Sequence, residues 1–198
     1  MKGKLYVISG PSGCGKSTVV HAVMAKYPNL RFSVSATTRP IRPGELDGED
    51  YFFVTRERFD EMLREGELLE HAEYVGNCYG TPERPLQEAL DSGLDMLLDI
   101  EPQGAMQVRQ KRPDAVLVFL APPSMEALRA RLEGRGDTSE DLIAKRLEQA
   151  RWELQQAQYY DYIIINDAVE NAAREFLAVI TAEKCKTADR IRLLKEEH

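Results

Sequence analysis

The most informative residues form a glycine-rich segment that directly follows a short apolar run near the start of the chain. The segment Gly10-Pro-Ser-Gly-Cys-Gly-Lys16-Ser17 matches the pattern G-x-x-x-x-G-K-[ST], and apolar residues at helical spacing come after it. Glycines let the backbone fold with its N–H groups around phosphates, and the start of a helix adds positive potential. We expect Lys16 to reach the β- and γ-phosphates of a nucleoside triphosphate and the Ser17 hydroxyl to join a Mg²⁺ shell. A chance glycine-rich turn is disfavoured, because a strand and a helix flank the segment.

A second group of residues, downstream of this loop, can also bind phosphate. Arg39 and Arg42 stand three positions apart in a segment rich in hydroxyl side chains, which include Ser35, and Tyr51 follows closely. Guanidinium groups match phosphate oxygens with paired, charge-assisted hydrogen bonds, and hydroxyl groups complete the shell. The alternative is a solvated basic loop stiffened by prolines, and this segment alone does not decide between the two.

Farther along the chain, Glu70 and Thr81 can recognise a guanine base. A guanine edge presents N1–H and N2–H₂ donors beside the O6 acceptor, so the carboxylate can accept from the donors while the hydroxyl donates to O6. An adenine edge would leave the carboxylate unpaired at a high free-energy cost. Guanine-specific GTPases need an Asn-Lys-x-Asp element, which does not occur here. Since a plain ATPase would have no use for the polar segment, the pattern favours a kinase whose second substrate binds there.

Charged residues farther along can serve the transfer of a phosphoryl group. The reaction brings two polyanions together, so cations are needed between them. Arg131 is one candidate, although an arginine on a helix is commonly a solvated charge paired with a nearby glutamate. Asp99 ends an apolar strand, at the sheet edge where α/β proteins bind ligands, and we expect it to orient the Mg²⁺ water shell. The alternative for Asp99 is a helix-capping or structural acid.

The apolar pattern predicts the elements that must position these residues. Short runs that are apolar on both faces indicate strands of a covered parallel sheet at Leu5–Ile8, Met96–Ile100, Val116–Leu120 and Tyr162–Ile165. Helical spacing follows Lys16, recurs around Leu86 and Leu90 with Gly93 as a C-terminal cap, and recurs again from Leu142 to Ala150. This alternation predicts a doubly wound α/β sheet.

The segment from residue 31 to residue 79 interrupts the alternation. It contains strand-like pieces at Phe32–Ser35 and Tyr51–Val54, a turn-rich stretch between them and a short helix around Phe59–Leu63. We interpret it as a lobe inserted on the sheet. A second insertion, at residues 129–137, is rich in arginine and glycine.

Length, charge and cysteine usage restrict the class of protein. The 198 residues suit one compact domain, and the net charge of −7 argues against a general nucleic-acid binder. No signal peptide or membrane-spanning window is visible. Three cysteines without paired spacing and three histidines without a metal-ligand pattern indicate reduced thiols in a cytoplasm. We expect a cytoplasmic protein without membrane or nucleic-acid partners, either a monomer or a small homo-oligomer.

Several motifs, taken in order, resemble the guanylate kinase family. They are S-x-S-x-T-T-R-x-x-R-x-G-E from Ser33, D-G-x-x-Y-x-F-V from Asp47, L-E-H-A-E…G-N-x-Y-G-T from Leu69 and L-D-I-x-x-Q-G from Leu98, with R-L-x-x-R and K-R-L in the later third. The resemblance covers nearly the whole chain. It implies transfer of a phosphoryl group from ATP to GMP, and to dGMP as a second acceptor, with Mg²⁺ as cofactor.

The resemblance also implies an architecture and a set of site residues. The fold would be a P-loop NTPase core with a parallel sheet flanked by helices (residues 1–32, 82–124 and 151–198), an inserted mixed α/β GMP-binding lobe (33–81) and a mobile helical lid (125–150). The residues that would bind ATP are Gly10, Pro11, Ser12, Gly13, Cys14, Gly15, Lys16, Ser17, Thr18, Arg131, Asn166 and Asp167. Those that would bind GMP are Ser35, Arg39, Arg42, Tyr51, Glu70, Tyr79, Thr81, Asp99 and Glu101. The catalytic cations would be Lys16, Arg42, Arg135 and Arg146, and Ser17 would bind Mg²⁺ directly, with Asp99 acting through water.

Three positions depart from the family pattern. Thr81 stands where serine is frequent, Glu101 where aspartate is frequent, and Ala168 where many members carry a second aspartate. These changes leave the phosphate-binding charges in place, so they affect only details of base and adenosine contacts. Two rival functions are a kinase for another monophosphate or a sugar phosphate, and a non-catalytic domain that binds phosphopeptides.

Overall fold

A computed structural model of the protein describes residues 2–74, 76–134 and 139–194. In chain order the strands are β1 (Leu5–Ser9), β2 (Leu30–Phe32), β3 (Ser35–Thr37), β4 (Tyr51–Phe53), β5 (Leu68–Tyr74), β6 (Asn77–Pro82), β7 (Asp95–Asp99), β8 (Val116–Ala121) and β9 (Tyr162–Ile165). The helices are α1 (Lys16–Lys26), α2 (Arg56–Glu65), α3 (Glu83–Asp91), α4 (Pro102–Lys111), α5 (Met125–Glu133), α6 (Glu140–Gln156), α7 (Val169–Lys184) and α8 (Thr187–Arg190), with short 3₁₀ turns at Ala157–Tyr159 and Ile191–Leu194.

The chain folds as two compact units. Ile8–Asn29 and the residues from Val116 onward form the first unit, and Lys2–Val7 with Leu30–Ala115 form the second unit. In both units parallel strands are flanked by helices, which agrees with the predicted α/β class. None of the helices in the described part of the chain combines the length and the apolar composition that a membrane crossing requires.

The second unit contains a group of parallel strands and a separate mixed sheet. Strands β2, β7 and β1 lie in that order, and β2 pairs in parallel with β7. The mixed sheet has the order β4-β3-β6-β5, in which β3 and β4 are parallel and β6 runs antiparallel to β3 and β5. Phe59 and Met62 of α2 pack with Ala36, Leu68 and Cys78 of this sheet and form its apolar core. The mixed sheet runs from Ser35 to Pro82 and so overlaps the segment predicted as an inserted lobe.

The prediction of one strand at Phe32–Ser35 is wrong. Strand β2 ends at Phe32 beside β7, whereas β3 begins at Ser35 beside β4, so the chain passes from one sheet to the other at this point. The Ser33 N–H still donates to the Leu97 carbonyl (3.0 Å), which extends the β2 pairing by one residue. Because neither glycine nor proline marks the change of sheet, the apolar pattern continues across it and resembles a single strand.

The first unit contains the end of β1 and strands β8 and β9, with α1 packed on α7. Strand β8 is buried along its whole length, as expected for a covered parallel strand. Strand β9 departs from that expectation, because Ile163 and Ile165 are 53% and 46% exposed. It pairs on one side with β8 and is the edge strand, and its two exposed isoleucines lie on one face.

The structure confirms the helices predicted after Lys16, around Leu86 and from residue 142 onward, as α1, α3 and α6. The chain leaves α3 through Gly93, which has φ 94° and donates its N–H to the Leu90 carbonyl (3.0 Å). A left-handed residue in this position ends a helix, which is why glycine serves there. The apolar pattern did not reveal α4 and α7.

Candidate active site

The glycine-rich loop of the first unit connects β1 to α1 and leaves the first amides of the helix available. Gly13 and Gly15 have φ values of 88° and 94°, in the left-handed region that favours glycine. Gly15 is the N-cap residue, and no side chain caps α1. The N–H groups of the first helical turn therefore remain available to an anion, and the helix dipole adds to the attraction.

The reactive side chains of this loop lie on its open side. The Lys16 ammonium donates to the Gly10 carbonyl at 2.6 Å, which places the charge beside the first residue of the loop. Ser12, Ser17 and Thr18 are exposed, whereas the Cys14 side chain is fully buried. A buried thiol without exposure fits a packing role, so Cys14 can contribute to nucleotide binding only through its backbone.

The opposite side of the loop is braced by two polar side chains from distant parts of the sequence. The Cys14 carbonyl accepts from Arg131 Nη1 (3.0 Å) and from Asn166 Nδ2 (2.7 Å), and Arg131 Nη2 donates to the Asn166 carbonyl (2.7 Å). A side chain at Gly15 would come within 2.5 Å of Asn166 Nδ2, so the brace requires glycine there. Arg131 is thus a half-buried residue of α5 that supports the loop, and not a solvated surface charge.

The other predicted residues of the first unit that the structure describes differ in their burial. Asn166 Oδ1 is buried and has no hydrogen-bond partner among the described residues. Asp167 is exposed and accepts from the Ala168 N–H (2.6 Å). Arg146 is half-buried on α6, and Arg135 lies outside the described residues.

In the second unit, three predicted residues line one cavity of about 360 Å³. Ser35 and Tyr51 bring a hydroxyl and a phenol to it, and Asp99 brings a carboxylate from the end of β7. Glu49 and Asp50, which the sequence analysis did not single out, line it as well. Because carboxylates repel phosphate, an anion can bind here only with the help of cations, which the neighbouring arginines or Mg²⁺ can supply.

Arg39 is held in place by a counter-ion that the sequence analysis missed. Its guanidinium donates to both oxygens of Glu45, at 2.7 and 3.0 Å, and lies over the rings of Tyr51 and Phe53. These hydrogen bonds, together with one from the Arg42 N–H, lower the pKa of Glu45, so its carboxylate stays ionised. Glu45 is part of the R-x-x-R-x-G-E motif, so a signal for it was present in the sequence.

Two phenols accompany this arginine. The rings of Tyr51 and Tyr79 meet edge to face at 6.1 Å. Burial raises the pKa of Tyr51, and therefore its hydroxyl keeps its proton at neutral pH and can donate to a phosphate. Arg42 is exposed on the same segment.

Glu70 and Thr81, the two residues predicted to read a base, form a buried hydrogen-bonded pair. The Thr81 hydroxyl donates to Glu70 Oε1 at 2.6 Å, and the two residues are 0% and 4% exposed, respectively. Burial raises the pKa of the Glu70 carboxyl, and hydrogen bonds from the side chain and backbone of Thr81 oppose that shift only in part. Because the hydroxyl proton points at Glu70, Thr81 must turn its hydroxyl before it can donate to a guanine O6.

The two acids near the start of α4 are placed differently from one another. Glu101 occupies the N-cap position of α4, is exposed, and makes no capping hydrogen bond with its side chain. Its carboxylate is therefore not used by the helix. Asp99, two residues earlier, does not occupy the N-cap position, which disfavours the helix-capping alternative for it.

Comparison with known proteins gives a consistent result. The sequence matches the protein-family model described as guanylate kinase over residues 2–183. It is 52% identical to the guanylate kinase of Thermus thermophilus over 93% of this chain and 83% of that protein, and 49% identical to that of Halalkalibacterium halodurans over 100% and 95%. Among solved structures, the guanylate kinase of Anaplasma phagocytophilum superimposes with a TM-score of 0.76 at 36% identity, covering 98% of this chain and 94% of that one.

The brace on the phosphate loop predicts the behaviour of Arg131→Met. This variant removes both donors from the loop and from Asn166, and we expect it to weaken ATP binding by about 10-fold or more. Isothermal titration calorimetry with ATP measures the effect. The matched control is Arg129→Met on the same helix, because within the described part of the chain Arg129 makes only exposed ion pairs, with Glu133 and Glu140. Equal losses in both variants would contradict the assignment.

The burial of Glu70 predicts a pH-dependent stability. Because its pKa is raised in the folded protein, ionisation costs stability as pH rises above the ordinary value of 4.5, and the cost is absent below that value. Without nucleotide, Glu70→Gln should therefore gain stability relative to the unmodified protein between pH 4 and pH 8, on the order of 1 kcal/mol. Denaturant unfolding across this range measures the difference. Glu73→Gln, on the exposed part of β5, should show no such trend.

Proposed function

The chain belongs to the guanylate kinase family, and we propose that it transfers the γ-phosphoryl group of ATP to GMP and dGMP, giving ADP and the guanosine diphosphate. One observation supports a guanine nucleotide as the acceptor. The second unit holds a buried carboxylate with a hydroxyl partner, Glu70 and Thr81, in the same unit as the arginine and the phenols suited to a phosphate. A sugar phosphate has no base edge that would need this pair, and an adenine edge would leave the carboxylate unpaired.

The donor nucleotide binds at the phosphate loop of the first unit. Backbone amides of the loop and of the first turn of α1 surround the phosphates, and Lys16 pairs with the β- and γ-phosphate oxygens. Arg131 holds the loop in shape, and Asn166 and Asp167 address the adenosine.

The two residues proposed for Mg²⁺ are each of a type that suits this ion. Ser17 offers an exposed hydroxyl on the first turn of α1, and Asp99 offers an exposed carboxylate, and both are hard oxygen donors. When bound with ATP, Mg²⁺ neutralises the charge that develops on the phosphates. Ser17 would hold it directly, and Asp99 would act through its water shell.

The acceptor nucleotide binds in the second unit. Ser35, Arg39, Arg42, Tyr51 and Tyr79 hold its phosphate, with Arg39 already oriented by Glu45. Glu70, Thr81 and Glu101 address the base, and Glu70 accepts the N1–H and N2–H₂ donors. No residue assigned here reads the 2′ position of the sugar, so both GMP and dGMP serve as acceptors.

The reaction proceeds by direct transfer. The phosphate of GMP is largely ionised at neutral pH, so it attacks without a general base. Lys16, Arg42, Arg135 and Arg146 neutralise the charge on the transferring group, and no covalent enzyme intermediate forms. Closure of a lid at residues 125–150 excludes water, which would otherwise accept the phosphoryl group. We place the enzyme in the cytoplasm, as a monomer or a small homo-oligomer.

Acceptor preference tests this function. ADP release from Mg-ATP, measured in a coupled assay with GMP, dGMP, AMP, UMP, dTMP and ribose phosphates, should be fast only with the two guanine nucleotides. A preference for another acceptor would refute the guanine assignment. No turnover with any acceptor would support the phosphopeptide-binding alternative.

Lys16→Ala tests whether Lys16 acts on the phosphates of ATP and not on the binding of GMP. Since the ammonium stabilises charge on the donor phosphates, its loss should lower kcat by about 10²-fold or more and leave GMP binding unchanged. Steady-state kinetics and GMP calorimetry measure the two effects. The control is Lys26→Ala, because Lys26 is exposed in the last turn of the same helix and should change neither quantity.

A further inference from the structure

The strand that carries Glu70 is irregular at that residue. Strand β5 is the edge of the mixed sheet, and its pairing with β6 shifts between two registers. Leu68 lies opposite Pro82, but His71 lies opposite Gly80, so β5 has one residue more than β6 over this stretch. Such a bulge re-aims side chains and interrupts the ladder of backbone hydrogen bonds. Glu70 therefore sits where the sheet itself fixes the backbone least.

Helix α4 supplies the missing backbone contacts at both ends of the bulge. Gln107 Nε2 donates to the His71 carbonyl (2.9 Å), and the His71 N–H donates to Gln107 Oε1 (3.1 Å). One side-chain amide thus makes the pair of hydrogen bonds that a neighbouring strand would make. At the other end of the bulge, Lys111 Nζ donates to the Leu68 carbonyl (2.8 Å).

The same helix touches the carboxylate itself at Gly104. A Cβ atom at this position would lie 2.8 Å from Glu70 Oε2 and 3.5 Å from Glu70 Cδ. Gly104 lies inside α4, where alanine is the better helix former, so space rather than backbone conformation requires glycine. Gly104, Gln107 and Lys111 are spaced by three and four residues and share one face of the helix.

We propose that this face of α4, formed by Gly104, Gln107 and Lys111, is a positioning element that sets where the Glu70 carboxylate lies and thereby sets the selectivity for guanine. The inference rests on the proposed role of Glu70 in binding the acceptor base. The helix starts one residue after Glu101, the second acid proposed to read the base, so it also sets the position of Glu101 relative to Glu70. A helix that served only to cover the edge strand would need to contact no more than the backbone of that strand. At Gly104, α4 instead approaches the side chain of Glu70, the residue proposed to bind the base.

Two variants act on different parts of this element. In Gly104→Ala the methyl group meets the far end of a flexible side chain, so the protein should fold while the carboxylate moves. In Gln107→Met the volume is kept but both hydrogen bonds to His71 are lost. We expect each variant to raise KM for GMP by about 10-fold or more, with kcat at saturating GMP and KM for ATP within about 2-fold of the unmodified enzyme. Gln110→Met, an exposed glutamine on the same helix, is the matched control and should change none of these.

A double-mutant cycle separates positioning from general stability. If Gly104→Ala acts through Glu70, its effect on KM for GMP should disappear in a Glu70→Gln background. An effect that persists in that background, or an unchanged KM for GMP in both single variants, overturns the inference. If Glu70→Gln alone leaves KM for GMP unchanged, the proposed role of Glu70 fails and the inference fails with it. If Glu70→Gln raises KM for GMP and the α4 variants do not, only the inference fails.

Discussion

The proposed acceptor site of the second unit depends on the cost of keeping one carboxylate out of water. A buried carboxylate loses favourable hydration, and the protein must return hydrogen bonds to it or accept a raised pKa. The second unit does both in part: the side chain and the backbone of Thr81 give hydrogen bonds to Glu70, and burial still raises the pKa of the carboxyl. The hydrogen-bonding capacity that remains on Glu70 is what a guanine edge, with its two adjacent donors, can use.

The proposed donor site of the first unit follows the same logic with backbone groups. Helix α1 begins without a capping side chain. Gly13 and Gly15, which have positive φ, shape the loop without capping the helix. Two side chains stabilise the loop, because Arg131 and Asn166 donate hydrogen bonds to the Cys14 carbonyl. These bonds do not use the N–H groups of the loop. In each unit the protein satisfies the groups that shape the site and leaves unsatisfied the groups that the proposed nucleotide needs.

The sequence reveals those parts of the site whose residues are close together in the chain. The phosphate loop is one contiguous motif, and Glu70 and Thr81 are only 11 positions apart, on neighbouring strands. The supporting contacts join residues that are much farther apart, 36 positions for His71 and Gln107 and 117 for Cys14 and Arg131. A bond from a side chain to a backbone atom places no demand on the type of its partner, so no pattern in the sequence marks it. The same limit explains the error at Phe32–Ser35, since local periodicity does not tell which sheet a strand joins.

The single proton of the Thr81 hydroxyl connects the burial of Glu70 to base selection. In the structure that proton is directed at Glu70, where it adds to the hydrogen bond that the Thr81 backbone gives the buried carboxylate. A guanine that brings its N1–H and N2–H₂ groups to Glu70 replaces this donor, and the hydroxyl becomes free to turn toward O6. An adenine cannot make this exchange, because its N1 is an acceptor and would face the carboxylate. Under the proposed function, selection of guanine arises because the correct base both satisfies Glu70 and releases the hydroxyl that satisfies the base. This coupling works only while the carboxylate stays within reach of Thr81, and the close approach of α4 at Gly104 limits its movement.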